Sequence, residues 1–214
     1  MTPAEMVVEI GDFGFTTTAT ARMYAMLNQA LMEIAEKRPW AWRETTSTLT
    51  FSGSSASPSN ASFPVKAIIA LTNPTTGQIL QPVTRQQFQK FYPMNLTDAG
   101  DPFLYYFDGS TLKVYKVPGA TVTLTCAYLQ YQAAVTSAST EAEVLLPAQY
   151  HWIPIFLTLS RLYFKDDDLE MAKWARDEAE RLEALMVADI ESRTSYDRPM
   201  LVQDVDFDYD SYYN

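Results

Sequence analysis

The hydrophobic period of this chain changes twice, and those two changes limit its fold more than any single motif. In the first forty or so residues the apolar positions recur at helical steps. Tyr24, Leu27, Leu31 and Ile34 share one face. From Arg43 the step drops to two. In the run Val122, Leu124, Cys126, Tyr128, apolar side chains alternate with Thr123 and Thr125, as in a strand with one buried face. After Leu146-Pro147 the helical step returns in Trp152, Ile155, Phe156, Leu159, Leu162 and Tyr163. A chain that reads helix, strand, helix is α+β, with its sheets confined to the middle.

Local signals refine this outline. A short helix is expected over Pro3 to Ile10, followed by a turn at GDFGF and a Thr cluster, Thr16 to Thr18, suited to capping a second helix that Pro39 ends. Asp12-Phe13-Gly14 matches a kinase metal motif in letters alone, because the glycine-rich loop and strand lysine are missing. Strands are expected at Thr48 to Phe51 and Phe63 to Leu71, separated by the Ser-rich loop Ser52 to Asn60. NPTTGQ then reads as a turn and Thr84 to Phe91 as a short helix packing Val83, Phe88 and Phe91. The segment LYYFDGSTLKVYKVPGATVTLTCAYLQY, with Asp108-Gly109 and Pro118-Gly119 as its reversals, predicts a three-stranded antiparallel meander. Cys126 falls on its core side and is expected to be inert. In the last helical region Pro154 either kinks a helix begun at Pro147 or sits in the first turn of one begun near Gln149 or Tyr150. Asp166, Asp167 and Asp168 suit the start of the next helix. Its stripe is Ala172, Ala175, Ala179, Leu182 and Met186, with Asp177 and Arg181 paired outside.

The chemistry-bearing residues are sparse. His151 is the only histidine, which excludes two-histidine metal sites; a Ser-His-Asp arrangement would have to use it, and the favoured reading is a packing or capping role beside Trp152. There is no GxxxxGK loop and no GxGxxG fingerprint. One cysteine forbids an intrachain disulfide, the start MTPAEMVVEIGDF lacks the basic and apolar regions of a signal peptide, and no apolar run is long enough to span a membrane. Synthesis in a reducing cytoplasm is therefore expected. No cofactor is expected.

The net charge is −10, unevenly spread: residues 43–135 hold 6 basic and 4 acidic side chains, residues 147–191 hold 5 and 10. No Lys/Arg cluster exists that could release counterions from phosphates, so gripping nucleic acid is not expected. The chain closes on DVDFDYDSYYN. Asp204, Asp206, Asp208 and Asp210 imitate a calcium loop, yet Tyr209 stands where its glycine belongs and no bidentate Glu follows, so no metal is expected. The alternation leaves Val205, Phe207 and Tyr209 along one edge, with Met200 and Leu201 before them and Tyr212 and Tyr213 beyond. Two readings stand: an arm that docks on a neighbour, and a solvated acidic end.

ALMEIAEKRPWAWRE (Ala30 to Glu44), the DGSTLKVYKVPGATVTLTCAYLQY region, and LLPAQYHWIPIFLTLSRLYFKDDDLEMAKWARDEAERLEALM together resemble the head-to-tail adaptor proteins of tailed bacteriophages, over roughly residues 1–192. That resemblance implies an α+β fold in which N-terminal helices (1–42) and a C-terminal helical hairpin (147–192) form a bundle. An antiparallel β domain with its linker (43–146) is inserted; beyond the stretch that carries the resemblance, residues 193–214 are read from their own pattern as an extended arm. The resemblance implies a structural, non-enzymatic subunit in the neck of the virion: a ring of about twelve copies beneath the portal vertex, joining the capsid to tail or nozzle proteins. DNA would pass through without sequence-specific binding, and no membrane is involved. The partners implied are the portal protein, neighbouring copies and the tail. Met200, Leu201, Val205, Phe207, Tyr209, Tyr212 and Tyr213 become a candidate docking arm. Asp166, Asp167, Asp168, Asp204, Asp206, Asp208 and Asp210 become a candidate acidic surface; acids of the helical part are expected to repel DNA phosphates, and those of the tail to keep free arms soluble. Trp40 and Trp42 either anchor an interface or cover the junction of helix and sheet. The alternative reading is a virion-associated hydrolase or another neck or tail completion protein.

Overall fold

The computed structural model describes residues 1–56, 59–60, 63–91, 98–109 and 111–196. They form a mixed α+β structure in two compact units, residues 1–148 and residue 149 onward.

The first unit opens with α1 (Pro3–Ile10). Thr2 caps it: the Thr2 hydroxyl accepts from the Glu5 N–H at 3.2 Å while the Glu5 carboxylate accepts from the Thr2 N–H at 2.8 Å. Gly14, at φ +104°, turns the chain after it, a conformation that glycine adopts without strain. The GDFGF segment is thus an irregular turn. α2 (Thr20–Lys37) follows, with Ala19 at its cap position and no side-chain cap bond, so the Thr cluster ends before the helix and does not cap it. Its buried face is Met23, Met26, Leu27, Ala30, Leu31, Ile34 and Ala35.

Among the described residues eight strands follow: β1 (Glu44–Phe51), β2 (Ser55–Ala56), β3 (Ser59–Asn60), β4 (Phe63–Thr72), β5 (Gln81–Pro82), β6 (Leu104–Asp108), β7 (Thr111–Tyr115) and β8 (Val122–Gln130). Two four-stranded sheets result, in the orders β1-β8-β4-β3 and β2-β7-β6-β5. All pairs are antiparallel except β5 with β6. Between the sheets lies one core: Leu49, Phe51, Val65, Leu71, Leu80, Tyr105, Leu112, Val114, Leu124, Cys126 and Tyr128. Each fully buried side chain of this size contributes about 1.5–3 kcal/mol by leaving water. Burial pushes the Cys126 thiol up to about 11, which keeps it protonated and unreactive at neutral pH.

The expected meander is only half correct. β6 and β7 form the hairpin, with Asp108 paired to Thr111 and Gly109 at φ +65° opening the turn, one residue later than read. β8 then leaves that sheet and lies between β1 and β4 in the other. Pro118-Gly119 is a corner between sheets. The short helix α3 (Arg85–Phe91) covers the outer face of β6 and β7, where Phe88 stacks on Tyr106 at 4.6 Å and meets Tyr115 edge-on at 5.3 Å. With one side chain facing the sandwich core and the next facing α3, the run Leu104, Tyr105, Tyr106 is apolar at every step.

The second unit is a pair of helices, α4 (Trp152–Lys165) and α5 (Leu169–Tyr196). α4 starts late enough to place Pro154 in its first turn, where a missing N–H costs nothing. Ala172, Ala175, Ala179 and Met186 are buried along α5 as the stripe predicts, while its remaining member, Leu182, is half-buried. Arg181 pairs with Glu178, at 2.5 and 2.9 Å, and not with Asp177. α5 runs to Tyr196, so the first residues of the expected arm are helical. The side chains named for the arm, from Met200 to Tyr213, lie outside the described residues.

Candidate functional site

The acidic triplet builds the turn between α4 and α5. The Asp166 N–H closes α4 on the Leu162 and Tyr163 carbonyls at 3.1 and 3.0 Å, and the Asp168 N–H returns to Tyr163 at 3.0 Å. Asp167 takes φ +60°, a left-handed conformation that Asp tolerates better than most residues. Asp168 then caps α5, its carboxylate accepting from the Met171 N–H at 3.1 Å. All three side chains are exposed, and no group of three metal-ligating side chains occurs among the described residues. Asp204, Asp206, Asp208 and Asp210 are not described, so the candidate acidic surface is visible only in part.

Trp40 and Trp42 sit between α2 and β1. Trp40 is 4% exposed and its indole N–H donates to the Ile34 carbonyl near the end of α2 at 2.6 Å. Trp42 stacks on it at 5.9 Å and Arg38 lies over the Trp40 ring at 5.8 Å. Trp42 is half-buried, and its N–H has no partner among the described residues.

Beside this pair is a residue that sequence reasoning passed over. Arg43 is 1% exposed. Its guanidinium donates to the Ala35 carbonyl, and through Nε and Nη2 to the Gln130 carbonyl at 2.8 and 2.6 Å. Glu36 approaches it at 3.6 Å and also pairs with Lys66. Burial pulls the Arg43 guanidinium below its ordinary value and Glu36 offsets part of that. One side chain therefore ties the last turn of α2 to the end of β8. In sequence only its position, at the switch from helical to strand period, marks it.

The second unit carries a further set that was missed. Trp152, Phe156 and Trp174 form a row of rings, with centroids 5.8 and 5.6 Å apart. Trp152 is 37% and Trp174 43% exposed, and at the α4–α5 turn Phe164 and Leu169 are 66% and 62% exposed. Helical periodicity places Trp152 on the apolar face, and the structure leaves it partly in water. His151, just before α4, is buried and makes no capping bond. In the first unit a groove of about 560 Å³ lies between the start of α2 and residues 134–137. Asn28 closes one end of it by pairing with both backbone groups of Val135, at 3.0 and 2.7 Å. Among the described residues Tyr24 is the only ionisable side chain lining it, and burial raises its pKa.

These features are packing devices, caps and exposed rings, as in a protein that works by contact with other proteins. Residues 1–203 match the SU10 adaptor protein family, and the chain belongs to that family. Membership gives it the role of a structural adaptor of a bacteriophage particle. The chain matches no curated protein. No helix among the described residues is long and apolar enough to cross a membrane.

Proposed function

We propose that this chain is the head-to-tail adaptor of a tailed phage: about a dozen copies form a ring beneath the portal, joining capsid to tail and leaving a channel for DNA. The observation that carries this is the family match over residues 1–203, nearly the whole chain. The exposed rings of the second unit support it. Aromatic side chains left partly in water are what a subunit keeps for a partner, and Trp is enriched where binding energy concentrates. The excess of acidic side chains over residues 147–191 faces the channel, where like charge keeps DNA phosphates from adhering. An electron-microscopy map showing Lys and Arg lining that channel would remove this part of the proposal.

Residues 200–214 act as a docking arm in this reading, since their alternation offers apolar side chains on one edge and keeps unbound copies soluble through the acids. The test is the mass of the purified protein alone and mixed with portal rings, with and without residues 200–214. The expected result is a ring complex only on the portal, weakened by the truncation. No complex under any condition would overturn the adaptor role.

A further inference from the structure

The two outer edges of the sheet β1-β8-β4-β3 are built differently. On the β4 side the ladder with β8 shifts register between Val65 and Ala67 and again between Ile68 and Ala70, and the edge ends in the two-residue β3. Bulges and a short last strand are the usual protection against pairing with another chain. On the other side, β1 pairs with β8 residue for residue over its whole length, Glu44 with Leu129 through Phe51 with Val122, without a shift. Among the described residues no strand pairs with its outer edge. β1 has eight residues, no proline, no Lys or Arg, and one charge, at its first position. Its alternate backbone groups therefore stand ready for a ladder that the described residues do not supply.

We infer that the outer edge of β1 receives residues 204–210 of a second copy of this chain as an added strand. The inference rests on the reading of residues 200–214 as a docking arm and names the place where that arm binds. Three observations select this occupant. DVDFDYD is seven residues long with strict two-residue alternation, which fits the eight-residue edge. The sides match: Leu49 and Phe51 point to the core while Thr46, Thr48 and Thr50 are exposed. A strand laid alongside places Val205, Phe207 and Tyr209 in continuation of the core layer and its aspartates next to threonine hydroxyls in water. The charges also suit, since residues 43–135 carry a small positive excess and residues 200–214 carry four acids and no base. From the end of α5 at Tyr196, the eight steps to Asp204 can reach roughly 26 Å at about 3.3 Å each. A donor segment on one part of the chain and an acceptor edge on another make a head-to-tail contact, the kind that closes rings.

The test uses the full chain and a synthetic peptide of residues 200–214, with no portal present, followed by hydrogen exchange. The peptide should slow the outward-facing amides of β1 by at least about tenfold, while a scrambled peptide with its aspartates clustered should not. Thr46→Glu with Thr48→Glu should weaken peptide binding by about threefold or more, and Thr46→Lys with Thr48→Lys should strengthen it, since like and unlike charges then face the aspartates. Three results would each overturn the inference: unchanged exchange in β1, equal slowing by the scrambled peptide, or protection confined to α4 and α5. A chain that binds portal rings with an indifferent β1 keeps the adaptor role and loses this contact. The converse result would do the reverse.

Discussion

The sandwich and the helical hairpin both bury aliphatic side chains, in α4 Ile153, Ile155, Leu159 and Leu162, but the hairpin leaves more of its large ones in water. In the sandwich strands Ile69 and Phe107 are exposed. The sandwich otherwise turns its large side chains inward: Phe51, Leu71, Leu112, Leu124 and Cys126 are at most 0% exposed, and α3 covers the second aromatic layer over Tyr106 and Tyr115. The hairpin buries alanines along α5 and leaves Trp152, Phe164, Leu169, Trp174 and Leu185 between 37% and 66% exposed. Two sheets facing one another have enough surface to enclose large side chains, whereas one helix pair has a single narrow seam. On the proposed function, the difference separates a module that is finished on folding from one that is finished by contact.

If that contrast holds, damage to the first unit should show as lost stability. Phe51→Ala should produce the largest effect, about 4 kcal/mol in denaturant unfolding, because it opens a cavity between two sheets that cannot close it. Arg43→Met should follow at about 3 kcal/mol, since the Ala35 and Gln130 carbonyls lose their donor. Arg43→Lys should recover little of this, because one ammonium cannot span both carbonyls. Asp168→Ala removes the cap of α5 and should cost about 1 kcal/mol. The double substitution Trp152→Ser and Trp174→Ser should cost less than about 1 kcal/mol in folding and yet abolish portal binding. A large loss of stability in that last variant would make the rings part of the folded core and erase the contrast.

Much of the fold could be read from local signals. α1 carries its own capping box, NPTTGQ its own turn, with the Asn73 side chain accepting from the Thr75 N–H at 3.0 Å, and β8 its own alternation. What failed was long-range. Pro118-Gly119 reads the same whether it closes a hairpin or turns a corner, and the partner of β8 is fixed by residues more than fifty positions away, in β1 and β4. The Thr cluster before α2 had the right chemistry in the wrong place, since the backbone enters the helix at Ala19. Arg43 was invisible for a related reason: a buried cation is defined by carbonyls from α2 and β8 that no spacing rule connects. The exposure of Trp152 was also unreadable, because periodicity gives a face and not what covers it.

The most direct test of the central claim is hydroxyl-radical footprinting of the four tryptophans in the free protein and in portal-bound particles, read by mass spectrometry. Oxidation of Trp152 and Trp174 should fall several-fold on assembly, while Trp40, already enclosed, should stay unchanged. Equal oxidation of Trp152 and Trp174 in the two states would contradict the account, for the hairpin would then meet the particle by some other face or not at all.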